Sequence, residues 1–275
     1  MKTQKIGFIG GGNMATSLIS GLIASGHEPG NIWVSDVNPD QINSLETRLK
    51  VNVTASNEKV INETDVVVMA VKPQIMREVA LQVAPLIQQR KSLVVSIAAG
   101  ISERSLSSWL GSEIAIVRCM PNTPALVLTG ATALHANDKV TADQRSTAEN
   151  ILRSVGIALW VNEEKELDAV TAVSGSGPAY YFLLMEAMEQ AAMDLGLTEE
   201  TARLLVLQTA LGAAKIALES SESPELLRKR VTSPGGTTQR AIETFQQGGF
   251  SDLVSKALHA ARDRSIEMSN QPELN

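Results

Sequence analysis

Apolar segments at Lys5–Ile9, Ile32–Ser35, Val66–Val71 and Leu93–Ala98 alternate with stretches of helical periodicity through the first hundred residues. Strands separated by helices return by crossovers and pair in parallel, which confines this half of the chain to an open sheet with helices on both faces. Met14, Leu18, Leu22 and Ile23 recur at helical spacing after the first strand, and Ile75, Val79, Val83 and Leu86 do so after the third. These stripes are packing surfaces. Further strands are expected at Ile114–Cys119, Ala131–His135 and Ile157–Val161, with a helix over Thr141–Ser154.

The first strand runs into Gly10-Gly11-Gly12-Asn13-Met14-Ala15. In G-x-G-x-x-A, the first glycine makes the tight turn and the second lets backbone approach a pyrophosphate. Ala15 in turn allows close helix–sheet packing. The pattern predicts a Rossmann-type doubly wound parallel sheet that binds a dinucleotide, with Gly10, Gly11, Gly12, Asn13 and Met14 at the cofactor. Asp36 ends the second strand, where a carboxylate holds a ribose 2′-hydroxyl and repels a 2′-phosphate, favouring NADH over NADPH. Ser35 and Asn38 point the other way, as hydroxyl and amide partners for a phosphate, and Asp36 also reads as the cap of the turn at Asn38-Pro39. Two further loops, Ala70-Val71-Lys72-Pro73 and Ala98-Ala99-Gly100, fall at strand ends, where such sheets bind ligands. Lys72 reads equally as an anion contact and as a solvated charge before the helix that opens at Pro73.

From Glu163 the pattern changes to helix after helix: Glu163–Val173, Ala179–Leu195, Thr198–Glu219, Pro224–Arg230, Thr238–Gln247 and Ser251–Met268. The expected division is a dinucleotide-binding domain, 1–162, and an all-helical domain, 163–275, with Ser269–Asn275 as a frayed tail. Leu183, Ala187, Ala191 and Leu195, then Ala202, Val206, Ala210 and Ala213, make helix faces too apolar for a small monomeric domain. They predict a homo-oligomer formed through the helical half.

Net charge is −6 and aromatic residues make up 3% of the chain, so the basic footprint and stacking platform of a nucleic-acid binder are missing. Cys119 is the single cysteine, which excludes an internal disulfide or a thiolate zinc cluster and fits a reducing cytoplasm. The start, Met1 to Gly10, is basic and then apolar, but glycines cut the apolar part short of a signal peptide. No apolar run is expected to reach the ~18 residues of a membrane span. The partner is therefore expected to be a small-molecule substrate.

That substrate's site is sought at Ser233-Pro234-Gly235-Gly236-Thr237-Thr238, a glycine turn directly before a helix. Helix N-termini offer unsatisfied amides and a positive dipole end, which suits a carboxylate. A carbonyl reductase also needs an acid to protonate the developing alkoxide, and none is well placed. Tyr180 and Tyr181 lack a lysine four residues on, no lysine lies between Lys165 and Lys215, and His27, His135 and His259 read as surface or packing residues. A protonated imine removes that requirement, because hydride addition neutralises its cation, leaving orientation as the main task.

At these residues the chain resembles the pyrroline-5-carboxylate reductase family over almost its whole length. The carriers are Phe8–Ala15, Ala70–Pro73, Ser96–Gly100, Arg118–Pro124, Ser174–Tyr180 and Ser233–Thr238. The resemblance implies reduction of a cyclic imine to L-proline, with a helical domain that interlocks into a dimer, often assembled into a decamer. It implies cofactor phosphates at Gly10–Asn13, with Ser35, Asn57 and Ala70–Pro73 nearby, Ala98–Gly100 near the nicotinamide, and Asn122 reaching toward it. Substrate carboxylate is implied at Ser233, Gly235, Gly236, Thr237 and Thr238, with Thr238 on the ring nitrogen. The family usually prefers NADPH, whereas Asp36 favours NADH, so use of both is expected. One departure is Ser221-Glu222, where some members place a glutamate three residues before the proline. A β-hydroxyacid-type dehydrogenase and a catalytically silent NAD(P)-binding regulator are the alternatives.

Overall fold

The computed structural model describes residues 4–270. Met1–Thr3 and residues 271–275, which include most of the expected frayed tail, lie outside the described residues. By internal packing the chain divides into two units, one holding the described residues up to Ser176 together with those from Ala260, the other Gly177–His259.

The first unit is built on an eight-stranded sheet of β1 (Ile6–Ile9), β2 (Ile32–Ser35), β3 (Asn52–Thr54), β4 (Val66–Met69), β5 (Leu93–Ser96), β6 (Ile116–Met120), β7 (Gly130–Ala136) and β8 (Gly156–Trp160) in the order β3-β2-β1-β4-β5-β6-β7-β8. The helices between them are α1 (Asn13–Ala24), α2 (Pro39–Leu49), α3 (Asn57–Glu63), α4 (Pro73–Arg90), α5 (Glu103–Leu110) and α6 (Ala142–Arg153), followed by α7 (Glu166–Val170) and a π-helical turn, Thr171–Gly175. Side chains alternate across the sheet. Val66 and Val68 pack with Leu18, Ile19 and Leu22 of α1, while Val67 and Met69 pack with Met76, Ala80 and Val83 of α4. The near-continuous apolar strands thus bury both faces.

The sheet is not parallel throughout, as the sequence had suggested. β7 runs antiparallel to β6 and β8 runs parallel to β7. Only residues 121–129 separate β6 from β7, fewer than the dozen or so a parallel crossover needs, so the chain reverses. β3, a three-residue edge strand beside β2, carries no apolar run and was not expected.

Strand register places the ligand-facing loops. Ile9 pairs with Ser35 and with Met69, and Met69 pairs with Ser96. Gly10, Asp36, Ala70 and Ile97 therefore leave the sheet at one level, at the crevice between β1 and β4 where the strand order reverses direction. The expected strands Val66–Val71 and Leu93–Ala98 end two residues early because their apolar tails belong to these loops.

The second unit contains α8 (Gly177–Asp194), α9 (Glu199–Glu219), α10 (Pro224–Arg230), α11 (Thr237–Gln247) and the first part of α12 (Phe250–Ser269). Its apolar surface is largely uncovered, with Leu183, Leu204 and Leu211 at 66%, 63% and 62% exposure. α9 is long and apolar enough by composition to cross a membrane, with a mean hydropathy of 1.3 over its most apolar stretch, although Arg203 and Lys215 interrupt its apolar run.

Candidate functional site

The glycine turn is fixed by three different demands. Gly10 has φ +97°, and a Cβ there would lie 2.7 Å from the Ala70 carbonyl oxygen, so only glycine fits. Its N–H donates to the Ser35 carbonyl at 2.8 Å. At Gly11 a Cβ would meet Leu45 Cδ1 at 2.7 Å, and its N–H donates to Asp36 Oδ2 at 2.8 Å. Gly12 differs, because a Cβ there would find nothing within 4 Å. It is also the N-cap of α1, and among the described residues no side chain caps that helix. An open space in front of uncapped helix amides, reached through a glycine with no steric need of its own, fits the pyrophosphate of a dinucleotide.

The neighbouring expected residues divide by how their polar groups are used. Ser35 is buried, and its hydroxyl donates to Asn57 Oδ1 at 2.7 Å, fixing the first residue of α3. Asp36 braces the turn through Gly11 and accepts the Asn38 N–H at 2.9 Å. Asn38 Oδ1 caps α2 by accepting from Asp40 at 3.0 Å. Asn13 is exposed and Met14 half-buried at the start of α1, while Ala70, Val71 and Pro73 are half-buried on the rim. Lys72 is exposed and is the N-cap residue of α4. Ala98 is buried and Ala99 half-buried. Gly100, at φ +74°, lies against Met268 of α12, and a Cβ there would be 3.3 Å from that side chain.

Asn122 is 9% exposed, and both ends of its amide are engaged. Nδ2 donates to the Ser174 carbonyl at 3.0 Å and Oδ1 accepts the Ala131 N–H at 2.9 Å. The residue therefore fastens the β6–β7 connection to the π-helical turn. Ser176 has φ −86° and ψ −18°, and its N–H donates to the Thr171 carbonyl at 2.8 Å. The Ser174–Ala179 motif thus passes from π-helical turn to α8 without a separate cap.

Gln41 was not singled out from the sequence; its side-chain amide donates to the Gly11 carbonyl. A glutamine in the first turn of a helix that follows the second strand is the only local signal for it.

Ionisable groups gather on β6 and β7. Arg118 pairs with Glu164, whose Oε1 also accepts the Glu103 N–H at 2.6 Å. His135 Nδ1 lies 3.4 Å from Glu103 Oε2, but without an aligned hydrogen bond. Burial pushes the His135 imidazole below its ordinary range, outweighing the attraction of Glu164. Burial, then Glu164, pushes the Glu103 carboxyl up. Burial also raises the Cys119 thiol, so it is not a nucleophile. His27 is buried, and His259 is exposed with Nδ1 2.8 Å from the Ser255 carbonyl oxygen.

In the second unit, Ser233, Pro234, Gly235, Thr237 and Thr238 are exposed and Gly236 half-buried at the start of α11. Gly235 takes φ +73°, and Gly236 is the N-cap, with no side-chain cap among the described residues. Two amides of this turn are already used. Gly235 N–H donates to Gln239 Oε1 at 2.6 Å, and Gly236 N–H to the Ser233 carbonyl at 3.0 Å. The first helical amides, on Thr237, Thr238 and Gln239, have no acceptor within the helix. They sit beside two threonine hydroxyls and can receive a carboxylate.

The strand order and the glycine turn at its switch point define a dinucleotide-binding oxidoreductase domain, and residues 5–100 match the family described as NADP oxidoreductase coenzyme F420-dependent. Residues 164–268 match the family described as pyrroline-5-carboxylate reductase dimerisation. The pyrroline-5-carboxylate reductase of Pseudomonas aeruginosa is 52% identical over 271 residues, covering 98% of this chain and 99% of the relative. Among solved structures, a pyrroline-5-carboxylate reductase from Coxiella burnetii superposes with a TM-score of 0.94 at 46% identity, covering 98% of this chain and 100% of that one. The Plasmodium falciparum pyrroline carboxylate reductase, with NADP bound, superposes with a TM-score of 0.88 at 31% identity and the same coverage. The chain belongs to the pyrroline-5-carboxylate reductase family.

Proposed function

We propose that this chain reduces 1-pyrroline-5-carboxylate to L-proline with NADPH or NADH. The observation that carries the reading is the paired provision of an open Gly12 cradle at α1 and an uncapped, glycine-led helix start at α11. One receives a dinucleotide pyrophosphate and the other a carboxylate.

When bound, the reduced nicotinamide supplies the hydride. Gly10, Gly11, Gly12, Asn13 and Met14 receive the phosphates, Ala70–Pro73 form the rim, and Ala98–Gly100 border the nicotinamide. Ser35 and Asn122 act by positioning, since their polar groups are already bonded inside the protein. Thr237 and Thr238 offer amides to the substrate carboxylate, with Ser233, Gly235 and Gly236 shaping the turn that presents them. Gly235 N–H joins them when Gln239 releases it. The Thr238 hydroxyl meets the ring nitrogen. The imine is a cation, so hydride addition at its carbon removes charge and leaves an amine. Holding the ring in place therefore does most of what a general acid does in carbonyl reduction.

The division of labour we assign is 1–162 for the cofactor and 163–275 for substrate and dimerisation. The uncovered apolar faces of α8 and α9 meet a second copy rather than lipid, and the dimerisation family match over residues 164–268 supports that choice. A dimer is the smallest assembly on this reading and a decamer its larger form. The cytoplasm is the matching compartment, given one buried, unpaired cysteine.

The test is oxidation of NADPH or NADH by purified protein, dependent on the cyclic imine, with L-proline identified as product. Oxidation coupled instead to a β-hydroxyacid, with none for the imine, overturns the reading.

A further inference from the structure

The end of α12, from Ala260, belongs to the first unit. Ser265 and Met268 hold it there. Ser265 is buried, and its hydroxyl donates to Asp168 Oδ1 of α7 at 2.7 Å. Met268, half-buried and three residues further on, lies on the same side of the helix and packs against Gly100. A Cβ at Gly100 would stand 3.3 Å from both Cβ and Cε of Met268, and φ there is +74°. The backbone turn is left-handed and has little room for a side chain of its own.

Gly100 closes the Ala98–Gly100 loop, which leaves β5 at the cofactor edge. Ile97 N–H donates to the Met69 carbonyl at 3.3 Å, at the level where Gly10 and Ala70 also leave the sheet. In a doubly wound sheet the pyrophosphate sits at the first helix and the two nucleosides lie to either side of it. The adenosine side is β2, so the nicotinamide side is β4 and β5. Ala98 and Ile101 anchor the loop in the apolar layer that holds Met76 and Leu106. Met268 is the contact at the glycine between those two anchors.

We propose that Met268 is a positioning residue for hydride transfer: braced by the bond from Ser265 to Asp168, it sets how far the Ala98–Gly100 loop stands toward the nicotinamide ring. The inference rests on the hydride-transfer reading above. Ser265 fixes where the helix end lies. Met268 then fills the space beside the bare glycine with an unbranched side chain that adapts to its shape. Removing it lets the loop settle back, and a shift of about 1 Å at a reacting ring can cost about 10²-fold in rate. The phosphate turn at Gly10–Gly12 lies on other strands and keeps its own bonds.

The experiment measures Kd by calorimetry for NADPH and NADH and for the matching fragments without the nicotinamide ring, 2′-phospho-ADP-ribose and ADP-ribose. It adds kcat and the primary deuterium isotope effect on imine reduction. Met268→Ala should raise Kd for the reduced cofactors about fivefold and leave the fragments within about twofold. In the same variant kcat should fall about tenfold and the isotope effect should grow, because hydride transfer has become the slow step. Met268→Leu, of similar volume, should restore most of both. Ser265→Ala should repeat the pattern more weakly, and it decides the matter should Met268→Ala fail to fold. Equal changes for cofactors and fragments, or no change in either Kd or kcat, overturn the inference. A parent that binds cofactor but reduces no imine sinks the reaction alone, because the Kd comparison still decides the role of Met268.

Discussion

Asn122 and Ser174, 52 positions apart in the chain, meet through one hydrogen bond in which the asparagine amide donates to the serine carbonyl at 3.0 Å. With its other end on Ala131, the side chain is a three-way joint inside the protein. Asn122→Ala leaves a buried N–H and a carbonyl without their partner, which should lower stability by about 1–3 kcal/mol. Thermal denaturation measures this. A cofactor Kd weakened tenfold with an unchanged Tm would instead make Asn122 a direct ligand.

Gly10 and Gly12 should respond oppositely to alanine. Gly10→Ala forces a Cβ onto the Ala70 carbonyl at positive φ, and strain on the order of 1–3 kcal/mol should appear as a lower Tm. Gly12→Ala has room in the protein itself, so Tm should hold while the cofactor KM rises. Similar Tm values for both variants would refute the distinction.

Thr238→Ala should lower kcat more than it weakens cofactor binding, and Thr238→Ser should restore much of the loss. The residue is exposed in the first turn of α11, so the fold should tolerate both changes. An unchanged kcat would remove the hydroxyl from the reaction.

Burial lowers the His135 pKa, with Arg118 and Arg145 also opposing its protonation and Glu164 and Glu166 favouring it. Its folded pKa is below the unfolded value, so the unfolded chain binds the proton more readily. The contribution is therefore full above about pH 6.5 and is lost as pH falls through the folded value. Tm should drop on acidification from neutrality, and His135→Gln should shallow that drop. His27, also lowered by burial, contributes with the same sign, whereas Glu103, raised, opposes both. A profile unchanged in His135→Gln would refute the assignment.

Leu211, exposed in the middle of α9, should be covered in the assembled protein. Burying one such leucine contributes about 1.5–3 kcal/mol, and a charge there would oppose association. Leu211→Glu should reduce the mass seen by light scattering at micromolar concentration. A parent protein that is already monomeric would overturn the oligomeric reading.

The sequence made the alternating half legible because parallel strands buried on both faces are apolar from end to end, as at Val66–Met69. It left β3 hidden because Asn52-Val53-Thr54 is too short to show a period. The position of Asp36 was readable from its distance to the glycines, but not its bond to Gly11, which depends on how two loops leave adjacent strands. Asn122 shows the same limit. Its partners lie at separations that no local pattern encodes.

The reversal at β7 settles where the chain finishes its work on the sheet. β8 ends at Trp160, on the edge opposite the Gly10 and Ala70 loops, and the short helix and π-helical turn then climb back until Ser174 meets Asn122. Two backward strands and one return segment thus deliver the chain to the cofactor edge at Ser176. A connection long enough to let β7 run forward would have released it there fourteen residues sooner, at Val161–Asn162, with no segment left to tie down Asn122. The shortness of a single loop acts as a routing choice for everything that follows.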